Sequence, residues 1–163
     1  MASHAEALLE FYSGEVLGEA IYSALLGTAR NDDERLKWST LLQLETETKA
    51  WLRAPMVAHG VSIVEQTTDR DKGIALAEQL KALTWTVQMR ALREAILNDF
   101  IPRYQRHADA AGTRGALDQQ AVCLYMVEHE RAQLEFAERE LAGASPDRSL
   151  EPLVKLLRYP IQG

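Results

Sequence analysis

Three glutamates and one histidine fall on helix faces that are otherwise apolar. At 100° per residue, Glu15 and Glu19 lie in the middle of the arc, about 40° to either side, that the apolar residues of their segment define. Glu45 in the next segment and His129 in the last one lie on apolar faces in the same way. Burial raises the pKa of a carboxyl group, and crowding separates the pKa values of neighbouring carboxylates. These four residues are our candidate catalytic residues, because such a group can supply an acid, a base and a proton relay.

Each of these positions also has a simpler interpretation. The apolar stripe of the first segment is broad, so one of its two glutamates can lean to the edge and meet a lysine. A single histidine on an apolar face is more often a satisfied core residue than a ligand. Glu45 and Lys49, one helical turn apart, have the spacing of a solvated surface pair. Glu130 falls at the margin of the core face of its helix.

Several residues on the same faces are candidates for binding a small molecule. A lysine or a tyrosine hydroxyl beside the acid and base can bind a developing oxyanion. Aromatic rings at helical spacing can form the walls of a cavity, although at that spacing they more often belong to an ordinary core. The candidate substrate-binding residues are Tyr12, Tyr22, Trp38, Lys49 and Gln133.

Helical periodicity predicts an all-α fold that positions these side chains. Asn31 supplies a turn and an N-cap, Pro55 marks the end of the second helix, and Pro102 is a candidate kink in the third. The stretch 59–71 has no helical period and is interpreted as a long crossover between the second and third long helices. The prediction is one domain over residues 1–163, a bundle with long helices at about 5–29, 33–54, 84–109 and 116–142 and short ones at about 72–83 and 150–157.

The predicted helices bring the candidate residues to one depth. Glu15, Glu45, Ile96 and His129 each lie about ten to thirteen residues from the start of their helix, or about 15 to 20 Å along its axis. Carboxylates and an imidazole at one level of a core are costly to bury without mutual pairing, a metal or a ligand. This convergence is the main sequence argument for a functional site.

Composition limits the classes of protein that need to be considered. The chain has 163 residues, 47% hydrophobic and 26% charged, which is typical of one soluble domain. With 18 basic against 24 acidic residues, it has no basic face that would favour nucleic acid as a partner. No apolar run suggests a membrane span or leader, and the single Cys123 fits a reducing compartment, so the expected location is cytoplasmic.

Three segments resemble the ferritin-like superfamily, the carboxylate-bridged di-iron bundles that include rubrerythrin. They read FYSGEVLGEAIY, LLQLETETKAWL and MVEHERAQLEFAEREL. In that family the first and third helices each give a glutamate, and the second and fourth each give Glu-x-x-His. The resemblance implies that Glu15 or Glu19, together with Glu45 and His129, correspond to metal ligands.

The departures from the family pattern concern the remaining ligands. Thr48 stands three residues after Glu45, Met126 stands three residues before His129, and Glu-x-x-His does not occur in the chain. Asp99 is the one carboxylate near the core face of the third helix, and its spacing favours a pair with Arg103. A reduced site of Glu15, Glu45 and His129 would suit one iron(II) or manganese ion.

Three functions remain open from the sequence. The first is a small-molecule enzyme of the isomerase, lyase or hydratase type that uses the Glu/His cluster for acid–base chemistry, with no cofactor favoured. The second is a non-haem iron or manganese oxidoreductase with a reduced ligand set. The third is a binding or assembly bundle whose polar cluster is an ion-pair network that fixes helix register.

The C-terminal segment LEPLVKLLRYPIQG suggests a partner surface. Its leucines lie on a very short predicted helix, which needs another apolar surface to cover it. That surface is supplied either by the chain's own bundle or by a second copy, and we expect a homo-oligomer.

Overall fold

Residues 3–160 are described in a computed structural model, and all regular structure in that range is helical. The all-α prediction is therefore confirmed. The elements are α1 (His4–Leu26), α2 (Asp32–Ala58), α3 (Thr67–Leu80), α4 (Trp85–Ala95), a π-helical segment (Ile96–Phe100), α5 (Ile101–Thr113), α6 (Leu117–Leu141) and α7 (Pro146–Val154).

Side-chain caps fix the starts of three helices. Ser3 and Glu6 form a capping box at α1, in which each side chain bonds the backbone N–H of the other residue. The Asn31 side chain accepts from the N–H of Glu34 at α2, and Thr84 caps α4 in the same manner. These bonds satisfy backbone donors that have no partner inside the first turn of a helix.

The end of α2 lies four residues beyond the predicted end at 54. Pro55 sits in the last turn, where its missing N–H removes a single helical bond and does not stop the helix. The stop comes at Gly60, which has a φ of 67°, and Val61 N–H donates back to the Met56 carbonyl over 2.9 Å. The unstructured connection is consequently shorter than predicted, because α3 already begins at Thr67.

The third long helical segment is interrupted where a kink at Pro102 is predicted. Ile101 N–H donates to the carbonyl of Ile96, five residues back, and Pro102 has no N–H to continue the normal ladder. The irregularity takes the form of a π-helical segment at Ile96–Phe100. Such segments widen the helix and shift the side chains that follow around the axis.

The helices pack in two groups, which meet where α2 packs against α7 and where α1 packs against α5 and α6. α1 packs against α2 and α3, whereas α6 packs against α4, the π-helical segment, α5 and α7. α3 lies within the connection from α2 to α4 and returns to cover α1. No helix within residues 3–160 has both the length and the apolar character that a membrane span requires.

Two apolar cores lie on either side of a buried polar layer. Along α2, Leu41 and Leu44 belong to one core and Leu52 belongs to the other, with Glu45 and Thr48 between them. The first core includes Leu8, Phe11, Tyr12, Leu52, Tyr104 and Met126; the second includes Tyr22, Trp38, Leu41, Met89, Phe136 and Leu153. We call the buried residues Glu15, Glu45, Thr48, His129, Glu130 and Gln133 the polar layer.

The C-terminal segment covers its own chain. Leu150 and Leu153 of α7 are buried in the second core, and Leu156 and Leu157 pack against it. Of the two surfaces that the sequence left open, the chain's own helices supply the cover. The argument for a homo-oligomer from these leucines therefore no longer holds.

Candidate active site

Three helices bring two carboxylates and an imidazole together in the polar layer. Glu15 comes from α1, Glu45 from α2 and His129 from α6, and their exposed fractions are 1%, 3% and 0%. His129 Nε2 lies 3.2 Å from Glu45 Oε1 and 3.5 Å from Glu15 Oε1. One donor atom from each residue falls within 4.8 Å of the other two. The shared depth that the sequence predicts for these three residues is thus found in the structure.

Hydrogen bonds fix the orientation of the His129 ring. The Gln133 amide nitrogen lies 2.7 Å from Glu45 Oε1 and 2.8 Å from His129 Nε2, so its two protons serve both acceptors. His129 Nδ1 lies 3.2 Å from Thr48 Oγ1, to which it donates when Nε2 accepts. Tyr22 donates to Gln133 Oε1 over 2.5 Å and thereby fixes the orientation of the amide. His129 Nε2 is therefore held facing the carboxyl groups of Glu45 and Glu15.

Two glycines of α1 make room for the layer. A Cβ at Gly18 would overlap the carboxylate of Glu45, and a Cβ at Gly14 would come within 2.5 Å of the Tyr104 hydroxyl. Contacts this short do not occur in proteins, so glycine at both positions lets side chains of α2 and α5 lie against the α1 backbone. The sequence motif Gly14 to Gly18 thus has a direct packing function.

A cavity of about 670 Å³ opens between α1, α3, α4 and the π-helical segment. Its walls are largely apolar and include Leu17, Ile21, Leu76, Leu92, Ile96 and Phe100. The lining residues at its exposed end include Lys72, Gln79 and Asp99. Trp38 and Gln88 are buried lining residues, and the part of the wall that we call the buried end consists of Tyr22, Glu45, Glu130 and Gln133. The cavity thus joins solvent to the polar layer.

Glu130 is a functional candidate that helical periodicity did not single out. Glu130 has an exposed fraction of 6% and lines the cavity. Its carboxyl group accepts no hydrogen bond from any residue within 3–160. Burial raises the pKa of Glu130 to about 8, although the charge of His129 opposes this rise. The sequence signal was its marginal wheel position beside His129, which alone does not distinguish a buried carboxyl from a surface one.

Burial also shifts the pKa values of other groups in the layer. The pKa of Glu15 is raised well above its usual range by burial and then by the charges of Glu45 and Glu130, and its Oε2 has no partner within residues 3–160. Burial lowers the pKa of His129, but the charge and hydrogen bond of Glu45 outweigh this, so the net direction is upward. Burial raises the pKa of Tyr22 well above its usual range, so its hydroxyl keeps its proton. Glu15 consequently keeps its proton at neutral pH, and the raised pKa of His129 favours the protonated form of its ring.

Glu19 and Lys49 lie outside the layer. The prediction that Glu19 shares the core with Glu15 is wrong, because its partly exposed carboxylate pairs with Lys49 and accepts from Thr46 over 2.7 Å. Lys49 also binds Glu65 at 2.7 Å and does not reach the cavity. The simpler interpretation, a glutamate that leans to the edge of the stripe and meets a lysine, describes Glu19.

The aromatic candidates divide between the two cores. Tyr22 and Trp38 line the cavity and stack with ring centroids 5.8 Å apart. Tyr12 is buried in the first core and is not part of the cavity wall. Gln133 lines the cavity beside Tyr22, as a substrate-binding residue must.

The described residues do not fit a di-iron centre. The segment from α4 to α5 gives no ligand, because Ile96 occupies the level of the layer and Asp99 is an exposed residue bound to Arg103 at 3.1 Å. A single ion fits better, since separations of 3.2 and 3.5 Å between donor atoms are close to the ~3.0–3.4 Å expected for ligands about 2.1 Å from one metal. The Gln133 amide, however, already donates to two of these atoms and would have to move aside.

Comparison with protein-family models, curated proteins and solved structures found no match to this chain.

Proposed function

We propose that this protein is a small-molecule enzyme on a ferritin-like four-helix bundle, and that the polar layer moves protons on a substrate in the cavity. The observation that carries the proposal is that Glu45 and Glu130 are both buried and both line the cavity, beside Tyr22 and Gln133. A buried carboxyl group without a partner costs free energy that an ordinary core avoids. A cavity of about 670 Å³ is of the size that holds small molecules.

The bundle assignment is supported by the order and pairing of the helices. α1 pairs with α2, and the segment from α4 to α5 pairs with α6. The connection between these pairs contains α3, which crosses to α1. This is the arrangement expected of a four-helix bundle with a crossover between its second and third long helices.

Each carboxyl group has a distinct role in this proposal. Glu130, whose pKa is about 8, holds a proton at neutral pH and delivers it to the substrate as the general acid. Glu45 takes a proton from a second atom of the substrate, and His129 Nε2, 3.2 Å behind it, relays that proton. Glu15 keeps the layer from accumulating negative charge because it stays neutral. One proton removed and one returned give an isomerisation; loss of a leaving group instead gives an elimination, and its reverse a hydration.

Deuterium exchange tests this function without knowledge of the natural substrate. In D2O, an enzyme that removes and returns a proton exchanges an acidic C–H of a bound compound, which mass spectrometry detects. We expect exchange into some members of a panel of apolar ketones, with and without an amino group. The rate should fall by about 10² or more in Glu45→Gln and Glu130→Gln.

The control for this experiment is Glu128→Gln. Glu128 neighbours His129 but is exposed and paired with Arg131 at 2.6 Å, so the variant should keep the wild-type rate. Wild-type exchange rates in both Glu45→Gln and Glu130→Gln would reject the proposed chemistry.

A second candidate function is that of a metal-dependent oxidoreductase. The observation in its favour is the convergence of donor atoms from Glu15, Glu45 and His129. These residues would hold one iron(II) or manganese ion, which would supply electron transfer. Elemental analysis of protein made without an affinity tag in iron- and manganese-supplemented medium decides between the candidates. About one metal per chain, lost in His129→Ala, would favour the oxidoreductase; metal far below that would favour the metal-independent enzyme.

A further inference from the structure

The buried end of the cavity has acceptors but few free donors. The Tyr22 hydroxyl donates to Gln133, and the Gln133 amide donates to Glu45 Oε1. The Gln88 amide nitrogen, elsewhere in the cavity wall, donates to the Leu80 carbonyl over 3.0 Å. The carboxyl group of Glu130, by contrast, has no hydrogen-bond partner among the described residues. A ligand group that reaches this end must therefore donate hydrogen bonds.

Within residues 3–160, no lysine or arginine forms a salt bridge with Glu45 or Glu130 at the buried end. Arg103, which also lines the cavity, is paired with Glu10 at 3.0 Å and with Asp99 at 3.1 Å. Its guanidinium lies over the Phe100 ring, 5.0 Å from the centroid. Lys72 also lines the cavity, but it is exposed. Glu45 thus has His129 as its ionisable partner, whereas Glu130 forms no salt bridge among the described residues.

The remaining wall selects the rest of the ligand. Between its polar ends the cavity is lined by leucine, isoleucine and phenylalanine side chains of α1, α3, α4 and the π-helical segment. A polar body in this space would lose hydration without gaining hydrogen bonds. The ligand body that this wall favours is apolar.

We propose that the cavity binds an apolar amine, a molecule whose single ammonium group meets Glu130 and Glu45 and whose apolar body lies along the cavity wall. An ammonium group supplies three donors and a positive charge, and it has no acceptor to leave unpaired. A neutral amine that enters takes the proton of Glu130, so that the bound pair is an ammonium group and a carboxylate. A carboxylate at the same place would meet only acceptors and like charge. This inference rests on the proposed function in that it names the substrate class of the same site.

The test compares three ligands of one chain length, octylamine, octanol and octanoate. Each is titrated into the full chain by calorimetry, in about 150 mM salt with a chelator, so that weak attraction to the acidic surface is screened. Tryptophan fluorescence is followed in parallel, because Trp38 lines the cavity. The ring centroids of Trp38 and Trp85 lie 5.0 Å apart. We expect one octylamine per chain, with an affinity at least about tenfold above that of octanol, and no binding of octanoate.

Three variants locate the binding. Glu130→Gln should lower the affinity for octylamine at least about tenfold and leave the affinity for octanol unchanged, because it removes the charged partner of the ammonium group only. Ala91→Phe, in the half-buried cavity wall, should block both ligands, and a melting curve verifies that it folds. Glu128→Gln should match the wild type with every ligand.

Two results would overturn the inference. One is octanoate binding as tightly as octylamine, and the other is an unchanged octylamine affinity in Glu130→Gln. The result of this binding experiment can be distinguished from the result of the deuterium-exchange experiment. Amine binding without any exchange would keep this inference and reject the proposed enzyme, whereas exchange into neutral ketones without amine binding would do the reverse.

Discussion

Glu15 and Glu130 of the polar layer hold their protons because the fold removes these two carboxyl groups from water. Glu15 and Glu130 are both buried, and burial is the largest cause of the raised pKa of each. Above the pKa of an exposed glutamate, the unfolded chain releases these protons while the folded chain keeps them. The free energy of unfolding therefore falls as the pH rises, until the folded-state pKa is passed.

Glu130→Gln should remove part of this pH dependence. The pKa of Glu130 rises from 4.5 to about 8, so the wild type loses stability between these pH values and the amide variant does not. We expect the free energy of unfolding of Glu130→Gln to exceed that of the wild type by up to about 3 kcal/mol at pH 7 and to equal it near pH 4.5. Urea unfolding at both pH values, with a chelator present, measures the difference. An equal gain at the two pH values would show that titration of Glu130 is not its source.

Gly18→Ala should act against the usual effect of alanine in a helix. Replacing a glycine inside a helix normally stabilises it by about 0.5–1 kcal/mol. At Gly18 the new Cβ would overlap the Glu45 carboxylate, which is buried and cannot swing away, so we expect a loss of about 1–3 kcal/mol. Thermal unfolding of the variant provides the measurement.

Gly112→Ala is the matched control. There the added Cβ would overlap only the end of the flexible Gln120 side chain, which can move. This variant should be as stable as the wild type or slightly more so. If Gly18→Ala were equally harmless, Glu45 would not lie against the α1 backbone.

The helical wheel gave the right faces for three residues and the wrong one for a fourth. Glu15, Glu45 and His129 lie on faces predicted to be apolar, and the structure buries all three. Glu19 fails because α1 packs against both α2 and α3, so this helix has no single inward direction. Helical periodicity does not predict the burial of Glu130 for a similar reason, since several neighbouring helices cover α6.

At the scale of elements, α3 is the wall that closes the cavity from outside. It packs against α1 through Gly73, where a Cβ would come within 2.6 Å of the Leu17 carbonyl oxygen and 2.7 Å of the Ala20 Cβ. Because the first of these atoms is backbone, it cannot move aside without moving α1. α3 reaches its position only because residue 73 has no side chain.

Gly73→Ala should therefore displace α3 while leaving the remaining helices in place. We expect faster amide hydrogen exchange across Thr67–Leu80 and little change in α6, which does not depend on this contact. Octylamine binding should weaken, since Leu76 and Leu80 form part of the cavity wall. Glu78→Ala, an exposed change on the same helix, serves as the control. Unchanged exchange in Thr67–Leu80 would show that α3 is held by other contacts.

Helix ends were harder to predict than helices, for identifiable reasons. Pro55 was interpreted as a stop, but a proline in the last turn removes only one bond, and Gly60 ends α2. The early start of α3 at Thr67 has no side-chain cap to announce it. Pro102 did mark a real irregularity, but the sequence did not distinguish a kink from a π-helical segment.

On the scale of the whole molecule, the polar layer separates two cores that would otherwise be continuous. α1, α2 and α6 each contribute residues to both cores and to the layer between them. Burying three carboxyl groups and an imidazole at this position costs several kcal/mol that apolar residues of similar volume would not cost. If the layer serves chemistry, the protein gives up stability at that level of the fold. If it serves helix register instead, its loss should damage the cooperativity of folding.

Replacing the hydrogen-bonded groups of the layer distinguishes these two roles. We consider the sixfold variant Glu15→Met, Tyr22→Phe, Glu45→Met, Thr48→Val, His129→Leu and Gln133→Met, which removes these groups together with their partners. Urea unfolding at pH 7 should stay cooperative, and the free energy of unfolding should rise by about 1–4 kcal/mol.

The same variant should lose both octylamine binding and deuterium exchange. Gain of stability together with loss of binding is the combination that a functional layer predicts, because the costly groups are then kept for the ligand. A variant that unfolds without cooperativity and exposes its core to a hydrophobic dye would instead make the layer a device for helix register. In that case the cavity would still take the amine in the wild type, but the buried Glu/His group would owe its presence to folding.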